Sequence, residues 1–355
     1  MLDDILREKS VHALLITDPY NMRHVSGFRG GEGILYISAS QRVLITDSRY
    51  TEAAGKESNF TVIEESAARK RSDILKECME KENTKLDFSM GYEDCSMLCS
   101  DFDKLKGALP VKKWVPLGTS VNDLRQIKTE EEIQCLQRAE EIGDQAFAKL
   151  LPLLKPGMTE LEAAAELEYL MKKAGAHDLG FQTIVASGIN SSMPHAIPSE
   201  KKMEAGDFLT FDFGCKYKGY CSDMTRTVVL GKASEKQKEI YGVVLRAQLA
   251  ALDAVKEGVT GASVDKVARD IITEAGYGSC FGHGLGHSVG LFIHENPRLS
   301  PSDNTVLKAG MIETVEPGIY VPGFGGVRIE DMVLVTKEGH VNFAHSPKEL
   351  IELPL

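Results

Sequence analysis

The sequence predicts an α+β protein in two domains, a small α/β domain over residues 1–125 and a larger α+β domain over 126–355. Three observations predict it. Up to about residue 125, short apolar runs alternate with helical stretches, the pattern of a small α/β layer. A long amphipathic stretch behind a capping signature then opens the second domain. Beyond it, β-rich runs joined by tight turns alternate with further capped helices, as expected where helices cover an antiparallel sheet.

At 355 residues the chain has room for two cores, and 43% hydrophobic with 26% charged content is ordinary for a soluble globular protein. A net charge of −11 argues against nucleic acid or an anionic membrane as partner. No run approaches the roughly 20 apolar residues of a membrane span. Met1-Leu2-Asp3-Asp4 lacks the basic and apolar regions of a signal peptide. Seven cysteines, an odd number with no CxxC spacing, predict reduced thiols in a cytoplasmic protein and disfavour thiolate zinc.

In the first domain Ala13–Ile16, Gly33–Ile37 and Arg42–Thr46 read as strands, and Tyr50–Glu57 and Ala67–Glu80 as helices. Gly27 to Gly33 is glycine-rich but leads into a strand. A phosphate cradle needs a helix N-terminus, so this reads as a plain loop. The boundary falls between Pro116 and Lys128.

Thr129 with Glu132 forms a capping box, and Ile133, Leu136, Ala139, Ile142, Ala146 and Leu150 follow at helical spacing. Thr159 and Glu162 repeat the signature before a helix ending at Gly175. Ser234 with Gln237 caps a third helix stopping near Gly258, and Ser263 starts a fourth that closes at Gly276.

Phe208–Gly214 and Tyr220–Val229 read as a hairpin about Tyr217-Lys218, which puts Asp212 opposite Asp223. Opposed residues share a face with Cβ atoms roughly 4.5–5.5 Å apart. Two bare carboxylates that close repel, so one holds a proton unless cations lie between them. A second hairpin through Val321-Pro322-Gly323-Phe324 brings Glu316 and Glu330 face to face. His283, His287 and His294 fall within twelve residues of a glycine-rich segment whose glycines disfavour a helix. One such histidine alone is more often a packing residue; three together point to a site. His294-Glu295 is followed by Asn-Pro, so this is not the HExxH signature.

The four carboxylates carry −4, which two divalent cations cancel and one does not. Oxygen-rich ligation with one imidazole favours manganese, iron or cobalt. Paired metals of this kind polarise a carbonyl and activate water.

These residues resemble the pita-bread metallopeptidases, and within them the proline peptidases, aminopeptidase P and prolidase. The resemblance rests on Asp212-Phe-Gly through Gly219–Thr227, His283-Gly-Leu-Gly-His287, Val315-Glu316-Pro317-Gly318 and Arg328-Ile329-Glu330-Asp331, and it covers nearly the whole chain. It implies a C-terminal pita-bread (creatinase/aminopeptidase) domain behind a smaller creatinase/prolidase-like α/β domain. Asp212, Asp223, His287, Glu316 and Glu330 are implied as ligands of two divalent metal ions, manganese first, with cobalt, iron or zinc as alternatives. His195, His294 and Glu316 are implied as catalytic, with Glu316 carrying the proton and His294 meeting the scissile carbonyl. His283 and Arg328 match substrate-binding or supporting positions.

The implied substrates are proline-containing peptides, and the implied assembly is a homodimer. Creatinase lacks the metal set, and methionine aminopeptidase typically lacks the N-terminal domain. Thr46-Asp47-Ser48-Arg49-Tyr50 resembles an aminopeptidase P motif and favours an Xaa-Pro aminopeptidase. The short chain and the 14-residue gap between Glu316 and Glu330 resemble compact prolidases, which makes Xaa-Pro dipeptidase the alternative. A non-catalytic peptide- or protein-binding module of the same fold is the remote one.

Overall fold

The protein, a computed structural model, is described over residues 1–82 and 87–355. These residues form two compact units, Met1–Arg125 and Gln126–Leu355.

The first unit runs α1 (Leu2–Glu8), β1 (Ala13–Ile16), α2 (Pro19–Ser26), β2 (Ile34–Ser38), β3 (Arg42–Asp47) and α3 (Thr51–Glu57). It continues through β4 (Thr61–Glu65), α4 (Arg71–Lys81), β5 (Ser89–Tyr92), α5 (Cys99–Ala108) and β6 (Lys113–Pro116). The strands make one mixed sheet in the order β4-β3-β2-β1-β5-β6. Alternation sends Leu14, Ile16, Leu35 and Leu44 to one core and Ala13, Leu15, Ile34 and Ile45 to the other. Both faces are buried, which is why the central strands read as unbroken apolar runs. The helix expected from Ala67 begins only at Arg71, because Ser66 and Arg69 first close a turn on each other's backbone.

The second unit is built twice over from a helix pair and a sheet. Its first half holds α6 (Glu130–Leu150), α7 (Glu160–Lys173), β7 (Asp178–Leu179), β8 (Ile184–Ser187), β9 (Phe208–Phe213), β10 (Cys215–Tyr217), β11 (Tyr220–Cys221) and β12 (Met224–Leu230). The second half holds α8 (Glu235–Ala254), α9 (Gly261–Glu274), β13 (Gly286–Ser288), β14 (Glu295–Leu299) and β15 (Ile312–Val315). It goes on through β16 (Gly318–Val321), β17 (Gly325–Arg328), β18 (Asp331–Val335) and β19 (His340–Asn342). A last strand, β20 (Glu352–Leu353), returns to lie parallel beside β12.

Each of these four helices opens with a capping box, at Thr129/Glu132, Thr159/Glu162, Ser234/Gln237 and Thr260/Ser263. The fourth cap corrects the expectation: Thr260 is the cap and Ser263 the residue that answers it. α8 stops at Ala254, before Gly258, because Val255 turns extended and is fully buried. The apolar faces of α6 and α7 pack on β8, β9 and β12, with Phe147 stacked on Phe213 at 5.6 Å. Those of α8 and α9 pack against Val315, Val327 and Val333 of the second half. Each fully buried side chain of this size contributes roughly 1.5–3 kcal/mol.

The two hairpins stand differently to the registers that the sequence predicts. In the first, Asp212 pairs with Thr225 and Tyr217 with Tyr220. Asp223 is therefore diagonal to Asp212, two residues from the expected register. The turn residues are Lys218 and Gly219, both with positive φ (47° and 83°), so the chain reverses one residue later than Tyr217-Lys218 would require. A two-residue shift keeps both aspartates on one face. In the second, β15–β18 and β16–β17 share one register, and its continuation sets Glu316 opposite Glu330.

Candidate active site

Glu316 and Glu330 occupy the break between those two ladders. Their backbone N–H groups leave the hairpin: Glu316 donates to Leu285 O at 2.8 Å and Glu330 to Thr225 O at 3.1 Å. The two exchanges stitch the hairpin to the His287 segment and to β12. His287 lies mid-strand in β13, and its N–H donates to Thr314 Oγ1 at 3.0 Å. A side chain at Gly286 would collide with the Thr314 carbonyl, so only glycine allows β13 to approach β15 this closely. Asp212 is the last residue but one of β9, and Asp223 immediately precedes β12.

The donor atoms of Asp223, His287 and Glu330 lie within 4.8 Å of one another, and all three residues are buried. His287 Nε2 is 3.5 Å from Asp223 Oδ2 and 3.3 Å from Glu316 Oε1. Its Nδ1 is 3.2 Å from the Ser288 carbonyl, which can only accept, so Nδ1 carries the hydrogen and Nε2 offers its lone pair to the cluster. Asp212 stands partly aside: Arg328 Nη2 donates to its Oδ2 at 2.6 Å, while its buried Oδ1 has no partner.

Without a cation this site is electrostatically frustrated. Burial, then Glu330, Asp212 and Glu316, push the Asp223 carboxyl well above the carboxylate range. Burial followed by Glu316 and Asp212 does the same to Glu330, and burial raises Glu316 to about 7. Burial also holds His287 neutral, lowering it to about 3. Clustered carboxylates, a neutral imidazole with its lone pair inward, and an orphaned Asp212 oxygen are together a donor set that fits hard or borderline divalent cations.

Around the cluster runs a relay. Arg328 Nη1 donates to Tyr320 Oη at 2.8 Å, and Tyr320 Oη lies 2.9 Å from His283 Nε2. His283 Nδ1 faces the Gly284 carbonyl at 2.7 Å, and burial lowers this histidine to about 4, so it receives the tyrosine hydrogen. A buried ion pair, Lys128 Nζ to Glu295 Oε2 at 3.2 Å, fixes the residue that follows His294, and Lys128 also reaches Ser288 Oγ at 3.3 Å.

All nine residues singled out in the sequence border one cavity of about 480 Å³: Asp212, Asp223, His287, Glu316 and Glu330 with His195, His283, His294 and Arg328. His195 and His294 are exposed at its wall, the latter with its ring 4.6 Å from that of His287. Sequence reasoning missed Arg298, which borders the same cavity and pairs with His287 across β13 and β14. Its signal was its place four residues after His294, on the same run. Tyr320 was missed as well, since an isolated tyrosine in a strand reads as packing.

Residues 134–337 match the model of metallopeptidase family M24, and residues 1–127 that of the Creatinase/Prolidase N-terminal domain. A curated relative, the Xaa-Pro dipeptidase of Pyrococcus furiosus, is 41% identical over 97% of this chain and 96% of its own. The solved Xaa-Pro dipeptidase from Bacillus anthracis superposes with a TM-score of 0.95 at 42% identity, over 100% of this chain and 98% of that one. An X-Pro aminopeptidase from Thermotoga maritima follows at 0.90 and 38%, over 99% and 100%. With both halves of its sequence matched and its fold reproduced end to end, the chain belongs to metallopeptidase family M24, in the proline peptidase branch with the pita-bread fold.

Proposed function

We propose that this protein is an Xaa-Pro dipeptidase that works with two divalent metal ions, manganese foremost. The observation that carries the reading is the convergence of Asp223, His287 and Glu330 in a cavity that Glu316 and Asp212 also border. Asp212, Asp223, His287, Glu316 and Glu330 would hold the metal ions, which would supply Lewis-acid polarisation of the scissile carbonyl and lower the pKa of water.

The chain's own groups do the rest. Glu316, held by Thr314 Oγ1 at 3.0 Å, takes a proton from the water whose oxygen bonds to the carbonyl carbon and delivers it to the prolyl nitrogen as the C–N bond breaks. That nitrogen carries no hydrogen in the substrate, so no N–H acceptor is needed at this position. His294 donates to the carbonyl oxygen as charge builds on it. Arg328 keeps Asp212 oriented through its 2.6 Å pair.

Dipeptidase is favoured over the aminopeptidase that the sequence suggested. The N-terminal motif behind that suggestion pairs with itself, Arg49 Nη2 to Asp47 Oδ2 at 2.7 Å. The relatives from Pyrococcus furiosus and Bacillus anthracis carry the dipeptidase name. Arg298 at the cavity wall supplies a cation for the free carboxylate that a C-terminal proline presents and an internal proline lacks. The Thermotoga maritima match keeps the aminopeptidase as the second reading.

Manganese-loaded protein offered Xaa-Pro dipeptides beside Xaa-Pro-Xaa tripeptides should turn over the dipeptides faster. Turnover confined to the tripeptides rejects the dipeptidase reading. Metal analysis should return two ions per chain, and a single ion rejects the dinuclear one.

A further inference from the structure

One buried carboxylate that the mechanism does not use has an unusual set of partners. Glu160, the first residue of α7, is fully buried. Its Oε1 accepts from Ser187 N at 2.7 Å, Ser187 Oγ at 2.8 Å and Asn190 Nδ2 at 3.0 Å. Its Oε2 accepts from Ser199 N at 3.1 Å and Ser199 Oγ at 2.6 Å, with Asn190 Nδ2 at 3.2 Å. One side chain thus ties Ser187, where β8 ends, to Ser199, twelve positions on in sequence.

The segment between those anchors is not uniformly held. Its front, a 3-10 turn over Gly188–Ser192, is seated on β17, where Gly326 N donates to Ser191 Oγ at 2.9 Å. Its rear, residues 193–198, carries the cavity-lining Pro194, His195, Ala196 and Ile197. Met193 is 50% exposed and Ile197 71% exposed. From the surroundings of the carboxylate cluster, Arg328 Nη1 donates to Pro194 O at 3.3 Å. A short stretch with apolar tips and an exposed histidine is therefore located by its two ends. Ser187 is also held by its pairing with Leu209 and by Lys201 Nζ at 3.0 Å, and Ser199 by Leu161 N donating to its carbonyl at 3.2 Å, but Glu160 is the side chain that joins the two.

We propose that Glu160 is a positioning residue for substrate binding, setting through the 187–199 loop where His195 stands at the cavity wall; this rests on the peptidase reading above. Gln in its place keeps one acceptor oxygen but presents an N–H₂ to the other anchor, so one end of the loop loses its partner while the volume is unchanged.

The test is steady-state kinetics of the full-length, manganese-loaded Glu160→Gln protein on an Xaa-Pro dipeptide. KM should rise about tenfold with kcat within about threefold and metal content unchanged. In a His195→Ala background the same change should raise KM by less than about threefold, because both substitutions act through one side chain. A wild-type KM in Glu160→Gln, or an equal effect with and without His195, overturns the proposal. Should Glu160→Gln fail to fold, Asn190→Ala and Ser199→Ala remove single donors, and both must raise KM for the proposal to stand. If the wild type hydrolyses no Xaa-Pro peptide, the peptidase reading fails on its own. Limited proteolysis then still judges the clamp, which requires faster cleavage within 193–198 in Glu160→Gln than in wild type.

Discussion

Asp223 is only 4% exposed and shares its surroundings with Glu330, Asp212 and Glu316, whose charges all disfavour its own. Replacing it by alanine should lower turnover by at least ~10³-fold and cut bound metal, while the fold persists, because the deletion also relieves repulsion. Metal analysis and circular dichroism on Asp223→Ala check both halves; near-normal activity with full metal would sink the ligand assignment. The same repulsion sets a pH dependence in protein stripped by a chelator. Raised carboxyl pKa values mean the folded state binds more protons than the unfolded one, so stability is full below the ordinary carboxylate range. It is lost as pH rises from about 4.5 through the Glu316 value of about 7. His287 and His283, lowered to about 3 and about 4, act in the opposite direction up to about pH 6.5, so the carboxylates stand alone above it. The thermal midpoint of stripped protein should therefore be lower at pH 9 than at pH 7, by about 5 °C, and restoring metal should abolish the difference. An unchanged midpoint would show that the carboxylates do not interact as the geometry requires. At this scale the acidic residues and His287 were legible because charged groups flanked by apolar strand residues need a reason to be buried. Glu160 was not, since it sits in a helix's first turn beside the capping Glu162, where an acidic residue is ordinary.

At the scale of elements, the site depends on strands approaching more closely than side chains normally allow. Gly286 lies against the Thr314 carbonyl, and the next residue is His287. Gly286→Ala must push β13 away from β15, so metal affinity should fall at least tenfold and stability by about 2 kcal/mol or more. Isothermal titration with manganese and a thermal melt measure the two, and a variant binding metal normally would contradict the packing described. The helices were legible to within a few residues, because capping boxes are local chemistry and their hydrogen bonds close within four positions. Hairpin register was less so. The Glu316–Glu330 pairing follows from a turn whose proline and glycine leave little choice. The Asp212–Asp223 pairing was misplaced by two because Lys218, a non-glycine residue, adopts the left-handed conformation that a two-residue turn demands. Alternation preserves the face even where the register slips, which is why Asp212 and Asp223 still border one cavity.

At the scale of the molecule, the first unit carries its own cores on both faces of a six-stranded sheet. Residues 1–125 produced alone should therefore give a cooperative thermal transition by circular dichroism, and a featureless melt would show that these cores are insufficient. The two-fold construction of the second unit was not legible, because its halves share an arrangement of helices and strands without sharing a residue pattern. That construction has a practical corollary. Asp212 and Asp223 come from the half that ends with β12, whereas His287, Glu316 and Glu330 come from the half that begins with α8. Opening the backbone between Leu230 and Ser234 would produce two polypeptides, each with an incomplete set of donors and each silent by itself. Hydrolysis would then report their reunion, making this chain a candidate scaffold for a split-enzyme sensor.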